Sequence, residues 1–301
     1  MTRYWPLVLA LAAVWGASYL FIKVAVEDIE PAPMMAMRAL LAGLLLLLYL
    51  IVSMGSRRAV VELRRAWRPA FVLGALNAAI PFWLVAWGEK HIDSSVAGIA
   101  QSTVPIFTFL LAMRFLPHEH VGKTRVVGVA LGFVGVALLA GFHPQGGWWA
   151  VAGTLAIVLS SLSYASAGIY GQLRVGTIAG PVLATGSMLA GGLILLPLAL
   201  FQLPSHVPDV ESIASVLALT VLGTAFAQLV LFRVLRLYGS RRLSLVTYLI
   251  PGFAVFYGAV FLDEPVSVAA LGGLVLILGG VALASGERLL RARSRAQEEP
   301  A

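Results

Sequence analysis

The chain reads as ten long apolar runs separated by short polar loops, at about 5–25, 33–53, 69–88, 94–116, 124–142, 148–172, 179–201, 212–236, 243–262 and 267–286. Hydrocarbon about 30 Å thick takes roughly 20 helical residues to cross, and each run is of that order. Short segments of alternating polarity, the pattern of a membrane barrel, are absent. Lipid offers backbone polar groups no partner, so helices are the remaining way to span. The pattern predicts an all-α integral membrane protein with ten transmembrane helices. The first run carries Lys23, lacks a small-residue cleavage site and is followed at once by a second, which makes it a span and not a signal peptide.

The pattern is also written twice. A shift of 146 positions pairs Ser94 with Ser240, Pro105 with Pro251, Phe107 with Phe253 and Phe115-Leu116 with Phe261-Leu262. Past the next loop the shift becomes 145, pairing Glu119 with Glu264, Gly128 with Gly273, Gly135-Val136-Ala137-Leu138 with Gly280-Val281-Ala282-Leu283, and Gly141 with Gly286. A period of half the chain is too long for a solenoid, and two related halves in an apolar chain are the mark of a secondary transporter. The halves are expected at 1–143 and 144–287, joined by His143-Pro144-Gln145-Gly146-Gly147 and followed by a frayed cytoplasmic tail, 288–301.

Composition agrees: 60% of residues are hydrophobic and 12% charged, against about a quarter charged in a soluble domain. A net charge of +7 would suit nucleic acid, but the basic residues sit in loops between spans. With the N-terminus placed in the cytoplasm, 18 of the 21 Lys and Arg fall on that side. The opposite loops are acidic, with Glu27, Asp28, Glu30, Glu89, Asp93, Asp209, Glu211, Asp263 and Glu264. The positive-inside rule then puts both termini of this cell-membrane protein in the cytoplasm. Five spans per half turn the second half upside down. Arg114, His118, Lys123 and Arg125 accordingly mark the first copy's loop as inner, and Asp263 and Glu264 mark the second as outer. Arg57 to Arg68 interleaves arginines with Val60, Val61, Leu63 and Trp67, which suits either a helix on the membrane surface or a solvated, topology-setting loop. Without cysteine there are no disulfides.

Trp15-Gly16-Ala17-Ser18-Tyr19 in the first span resembles the opening signature of the EamA family within the drug/metabolite transporter superfamily. Pro33 followed by Arg38-Ala39, the Pro105 run ending near Glu119, and the glycine-rich fifth and tenth spans are similar too. The resemblance implies a ten-helix inverted-repeat carrier, often an exporter of amino acids or related metabolites, with a central cavity between the halves. The second half departs from the pattern: Ser163-Tyr164-Ala165 replaces the Trp-Gly signature, and no arginine matches Arg38.

Charge inside hydrocarbon is costly and needs a reason. Arg38 and Lys23 are the two candidates. One or both would face the cavity and hold a substrate carboxylate, Arg38 through its bidentate fork. The alternative for each is to snorkel to the outer interface or to pair with a loop acid, as Lys23 could with Glu27 four residues on. No Asp or Glu lies in the middle of a span. That disfavours a carboxylate proton relay and leaves facilitated diffusion, exchange, or coupling by an end-of-helix acid such as Glu89. Aromatic and amide groups complete the expected substrate site: Trp15, Tyr19, Asn77, Trp83, Trp87, Gln101, Tyr164, Gln228 and Tyr248. Core packing or an interfacial belt is the plain alternative for each aromatic, and Trp5, Trp67, Trp148 and Trp149 read as belt residues. Thr220, Thr224 and Gln228 form a polar stripe. Pro105 and Pro251 each remove a mid-span hydrogen bond and are expected to act as gating hinges.

His118-Glu119-His120 lacks the i, i+4 spacing of a helical metal site, so no metal is expected. No phosphate-binding lysine motif, nucleophile elbow or buried Ser/His/Asp set is visible, so neither a cofactor nor an enzyme is expected. The expectation is a carrier of small amphipathic metabolites, such as apolar or aromatic amino acids, working by alternating access. A drug or organic-cation carrier is the first alternative, a non-transporting enzyme or scaffold the second. The expected partners are a small-molecule substrate and the lipid bilayer, with no nucleic acid and a homodimer left open.

Overall fold

The computed structural model describes residues 4–116, 123–141, 147–176 and 178–298, and among them every regular element is helical. In chain order these are α1 (Trp5–Ala25), α2 (Pro31–Met54), α3 (Ser56–Arg65), α4 (Trp67–Glu89), α5 (Ser94–Phe115), α6 (Lys123–Gly141), α7 (Gly147–Arg174), α8 (Gly180–Phe201), α9 (Val210–Tyr238), α10 (Ser240–Phe261) and α11 (Val268–Glu298). Seven of them (α1, α2, α4, α5, α7, α8 and α9) are long and apolar enough to cross a membrane. Shorter apolar stretches, Val126–Leu139, Leu245–Phe261 and Val268–Leu283, lie in α6, α10 and α11. Together they fall on the ten apolar runs of the sequence. The His118-Glu119-His120 cluster and residues 143–146 of the connecting turn lie outside the described residues.

The Arg57–Arg68 segment is largely helical, as α3. Its Ala59 packs with Leu50, Ala66 and Val182, so one face closes the end of the bundle. The tail differs from expectation: α11 runs on to Glu298, because the Leu, Arg, Ala and Gln residues after Gly286 are good helix formers.

Three spans are not plain α-helices. In α5 the ladder stops at Ser102 and Thr103 and restarts at Val104, with Pro105 in the first turn of the new piece. In that turn a missing N–H costs nothing. The expected equivalence with Pro251 does not extend to backbone form, since α10 is helical throughout with Pro251 inside it. In α4 and α9 one turn is widened to a π-helix, at Ala75–Ala79 and Val221–Phe226. The sequence shift of 146 carries 75–79 onto 221–225, so the two widened turns are repeat-related.

The main packing joins the two halves of the chain. α2 lies on α8, α6 on α11, α1 on α10, α7 on α4 and α5. Exchanging each helix for its counterpart turns α1–α10 into α7–α5, and α4–α7 into α9–α1; all four contacts exist. Along the α6–α11 seam a Cβ on Gly280 would meet the Gly128 carbonyl oxygen, and one on Gly135 would lie 2.9 Å from the Gly273 carbonyl oxygen. Only bare backbone lets these helices approach so closely.

The two ends of the bundle differ in charge, the one with α3 carrying Arg57, Arg58, Arg64 and Arg65. At one, the ends of α2 and α4, α3 and the α7–α8 connection meet around Leu50 and Val182, and Tyr4 leans on Tyr238. At the other, Asp28 accepts hydrogen bonds from His206 and from the Asp209 backbone N–H, and Lys90 pairs with Glu30 at 2.8 Å. The His206 ring and the Asp209 N–H hold the Asp28 carboxyl below the usual carboxylate range.

Candidate functional site

A cavity of about 530 Å³ lies between the halves, walled by residues of α1, α2, α4, α5, α7, α8, α9 and α10. Trp15, Tyr19, Arg38, Asn77, Gln101, Tyr164 and Gln228 all line it, whereas Trp83, Trp87 and Tyr248 are not among its lining residues. The cavity reaches Gly180 and Phe232 toward the end that carries α3, and Ile22 and Val85 toward the acidic end.

Arg38 is the most constrained group in the wall. It is only 6% exposed. Its Nε donates to Thr224 Oγ1 at 2.9 Å, one Nη contacts Met35 Sδ at 3.7 Å, and its guanidinium carbon lies 4.1 Å from the centre of the Phe82 ring. Among the described residues, no carboxylate lines the cavity. A guanidinium has five N–H donors, and only two of these contacts use one, so donors remain for a ligand. Burying a charge without a counter-charge is expensive. The Phe82 face offsets part of that cost by cation–π attraction.

The widened turn in α4 explains which side chains face inward. Leu73 and Asn77 line the cavity four residues apart. The next lining residues are Phe82 and Val85, five and eight beyond Asn77 where an α-helix would place four and seven. The extra residue of the π turn rotates the later part of α4 by one position. Trp83 and Trp87 lie off that lining face. Trp87 stacks on Trp83 and meets His91 and Trp149 edge-on, which makes an aromatic belt. Tyr248, in α10, packs against the main core instead.

The widening also frees carbonyls, and hydroxyls take them up. Ser163 Oγ donates to Leu76 O at 2.8 Å, and Thr224 Oγ1 donates to Leu219 O, five residues back, at 2.9 Å. Thr224 thus accepts from Arg38 while donating to its own helix. Thr220 makes an ordinary i−4 bond to Val216 O and does not line the cavity. Gln101 is committed to structure. Its Nε2 donates to Ser161 Oγ at 3.0 Å and its Oε1 accepts from Ser160 Oγ at 2.9 Å, which ties the break in α5 to α7. Asn77 and Gln228 make no side-chain hydrogen bond with the described residues and face the cavity.

At the acidic end three charged groups are drawn inside. Lys23 does not pair with Glu27 as its spacing suggested. Its Nζ donates to the backbone carbonyls of Glu89 at 2.8 Å and Ile92 at 2.9 Å, since the carbonyl end of α4 attracts a cation. Glu264, from the α10–α11 connection, accepts the backbone N–H groups of Ser94 at 2.7 Å and Ser95 at 2.9 Å and so caps α5. Glu89, an outer-loop acid by sequence, is 0% exposed. The hydropathy pattern could not reveal this, because the covering residues come from other helices.

Comparison with known proteins bears on the class. The model of the EamA-like transporter family matches twice, over residues 3–141 and 151–286. An uncharacterized inner membrane transporter, YedA, of Escherichia coli (strain K12) is 28% identical, with 94% of this chain and 91% of that one covered. Protein PecM of Dickeya dadantii is also 28% identical, over 94% and 92%, and an uncharacterized transporter of Archaeoglobus fulgidus is 25% identical, over 93% and 97%. One crystal structure superposes with a TM-score of 0.66 at 21% identity, covering 94% of this chain and 97% of that one, which speaks for the fold alone.

Proposed function

Because the chain belongs to the EamA-like transporter family, we propose that it is a secondary transporter built as a five-plus-five inverted repeat, with ten membrane crossings and both termini in the cytoplasm. The double family match, the repeat-related π turns and the counterpart-swapped packing support that arrangement. The cavity would be its substrate site, opened alternately to either side as the halves rock.

The substrate class proposed is a small amphipathic metabolite bearing a carboxylate, such as an apolar or aromatic amino acid, moved outward. The buried Arg38, without an acid partner and with donors to spare, carries this proposal. Trp15, Tyr19, Phe82 and Tyr164 would hold the apolar part, and Asn77 and Gln228 its polar groups. An organic cation would meet Arg38 with no lining carboxylate to offset it.

The test is flux of labelled L-phenylalanine in liposomes holding the full chain. A carboxylate held by a guanidinium gains roughly 1.5–3 kcal/mol per bond, so Arg38→Ala should lower flux about ten-fold or more. Undiminished flux in that variant would remove the carboxylate role.

A further inference from the structure

One buried acid is used neither by the cavity nor by the helix caps. Glu89 ends α4, is wholly inaccessible, and has no hydrogen-bond partner among the described residues for either carboxylate oxygen. Its neighbour Glu264 shows what a structural acid at this end looks like, with both oxygens filled by backbone N–H groups. Lys23 comes close, yet its ammonium is bonded to the Glu89 main-chain carbonyl and to that of Ile92. An ionised carboxylate left in that setting is strongly disfavoured, whereas the neutral acid is tolerated.

From this geometry, and on the transporter proposal above, we infer that Glu89 is the site where the carrier binds and releases a coupling proton. The step is simple: the carboxylate takes a proton from water on one side and returns it on the other. When the proton leaves, the carboxylate becomes an acceptor for Lys23, which exchanges two backbone carbonyls for it. The outer ends of α1 and α4 are thereby held differently in the two protonation states. Glu89 also continues the lining face of α4, four residues beyond Val85 and seven beyond Phe82. A proton there and a ligand at Arg38 can therefore influence each other.

The charged and titratable groups around it are few. α1 presents Lys23 and Tyr19, α2 presents Arg38, and the α10–α11 connection presents Glu264. The facing parts of α5 and α7, residues 94–101 and 147–160, contain no titratable side chain. The α4–α5 connection adds Lys90, bonded to Glu30, then His91 and Asp93. His91 stacks on Trp149, and its imidazole is kept below its usual range by burial, with Lys90 and Lys23 adding to the effect.

Infrared spectroscopy of the full chain in lipid, from neutral to alkaline pH, where exposed carboxylates are already ionised, tests the site without a substrate. A carbonyl stretch of a neutral carboxylic acid should fade as the pH rises, be absent in Glu89→Gln and persist in Glu264→Gln. No such band in the parent protein, or one unchanged in Glu89→Gln, would overturn the assignment. In liposomes, Glu89→Gln should still exchange labelled for unlabelled L-phenylalanine but lose accumulation driven by a pH gradient. Retention of full gradient-driven accumulation would equally overturn it. If the parent protein moves no phenylalanine, the amino-acid proposal fails, and the infrared band still decides the proton site.

Discussion

Pro105 and Pro251 occupy the same place in the two halves, and the backbone treats them differently. Before Pro105 the helix stops, Ser102 and Thr103 bond back to Gly98 and Ala100, and Gln101 is fastened to α7. Around Pro251 the helix continues. The π turns at Ala75–Ala79 and Val221–Phe226, by contrast, coincide under the repeat. Duplicated sequence has thus kept one device in both halves and held the other in two forms. Under the inversion of the halves proposed above, such inequality would let a cavity favour one side, since identical halves would leave it closed or open equally at both.

Chemical inequality between the halves should have the largest effect when broken. Arg38 belongs to the first half and faces Thr224 of the second. Its counterpart under the shift of 146 is Ala184, which also lines the cavity. Arg38→Ala should cost about ten-fold or more in flux, while Ala184→Ser, measured in the same assay, should cost much less. The seam between α6 and α11 is where the halves behave alike. Gly280→Leu and Gly135→Leu, related by the shift of 145, should each destabilise the detergent-solubilised protein by about 1–3 kcal/mol through overpacking. Their thermal unfolding temperatures should fall by similar amounts. For the prolines, Pro251→Ala restores an internal hydrogen bond and should stabilise by on the order of 1 kcal/mol while slowing flux. Pro105→Ala, at a first helical turn, should leave stability nearly unchanged. Equal responses in the two variants would mean that the prolines act alike. The smallest effect is expected at Asp28, which joins the α1–α2 connection to the start of α9. Since its folded carboxyl is held below its usual range, the contact stabilises above the ordinary carboxylate pKa of about 4 and is lost as the pH falls through the lowered value. Asp28→Asn should lower the unfolding temperature slightly at neutral pH and progressively less in acid.

Much of this was legible in the residues. Runs of some twenty apolar positions set the helices, because backbone desolvation leaves no other solution in lipid. Arg38 stood out because charge is rare there. What stayed hidden depended on residues distant in sequence. Glu89 ends a segment of α4 that packs chiefly on α7, and the commitment of Gln101 comes from two serines of that same helix. The π turns were hidden for another reason. Nothing in Ala75-Leu76-Asn77-Ala78-Ala79 distinguishes a wide turn from an α turn, and the stabilising hydroxyl of Ser163 lies 87 residues away. An unbroken α period carries the face of Asn77 to Pro81 and Leu84, which leaves Phe82 out, and Trp83 and Trp87 enter the expected site by side-chain type alone.

The widened turn of α4 holds one residue more than an α turn would, and the helix beyond it keeps its facing only while that turn stays wide. Were the turn to tighten to α form without losing a residue, everything beyond it would rotate by about 100°. Phe82 would swing from beneath the guanidinium and Glu89 from its enclosure, and Pro81 and Leu84 would move toward the hollow. Deleting one residue between Ala75 and Ala79 would do the opposite: a regular helix would then place Phe82 and Val85 where they already stand, so a one-codon loss there would leave this wall of the chamber as it is.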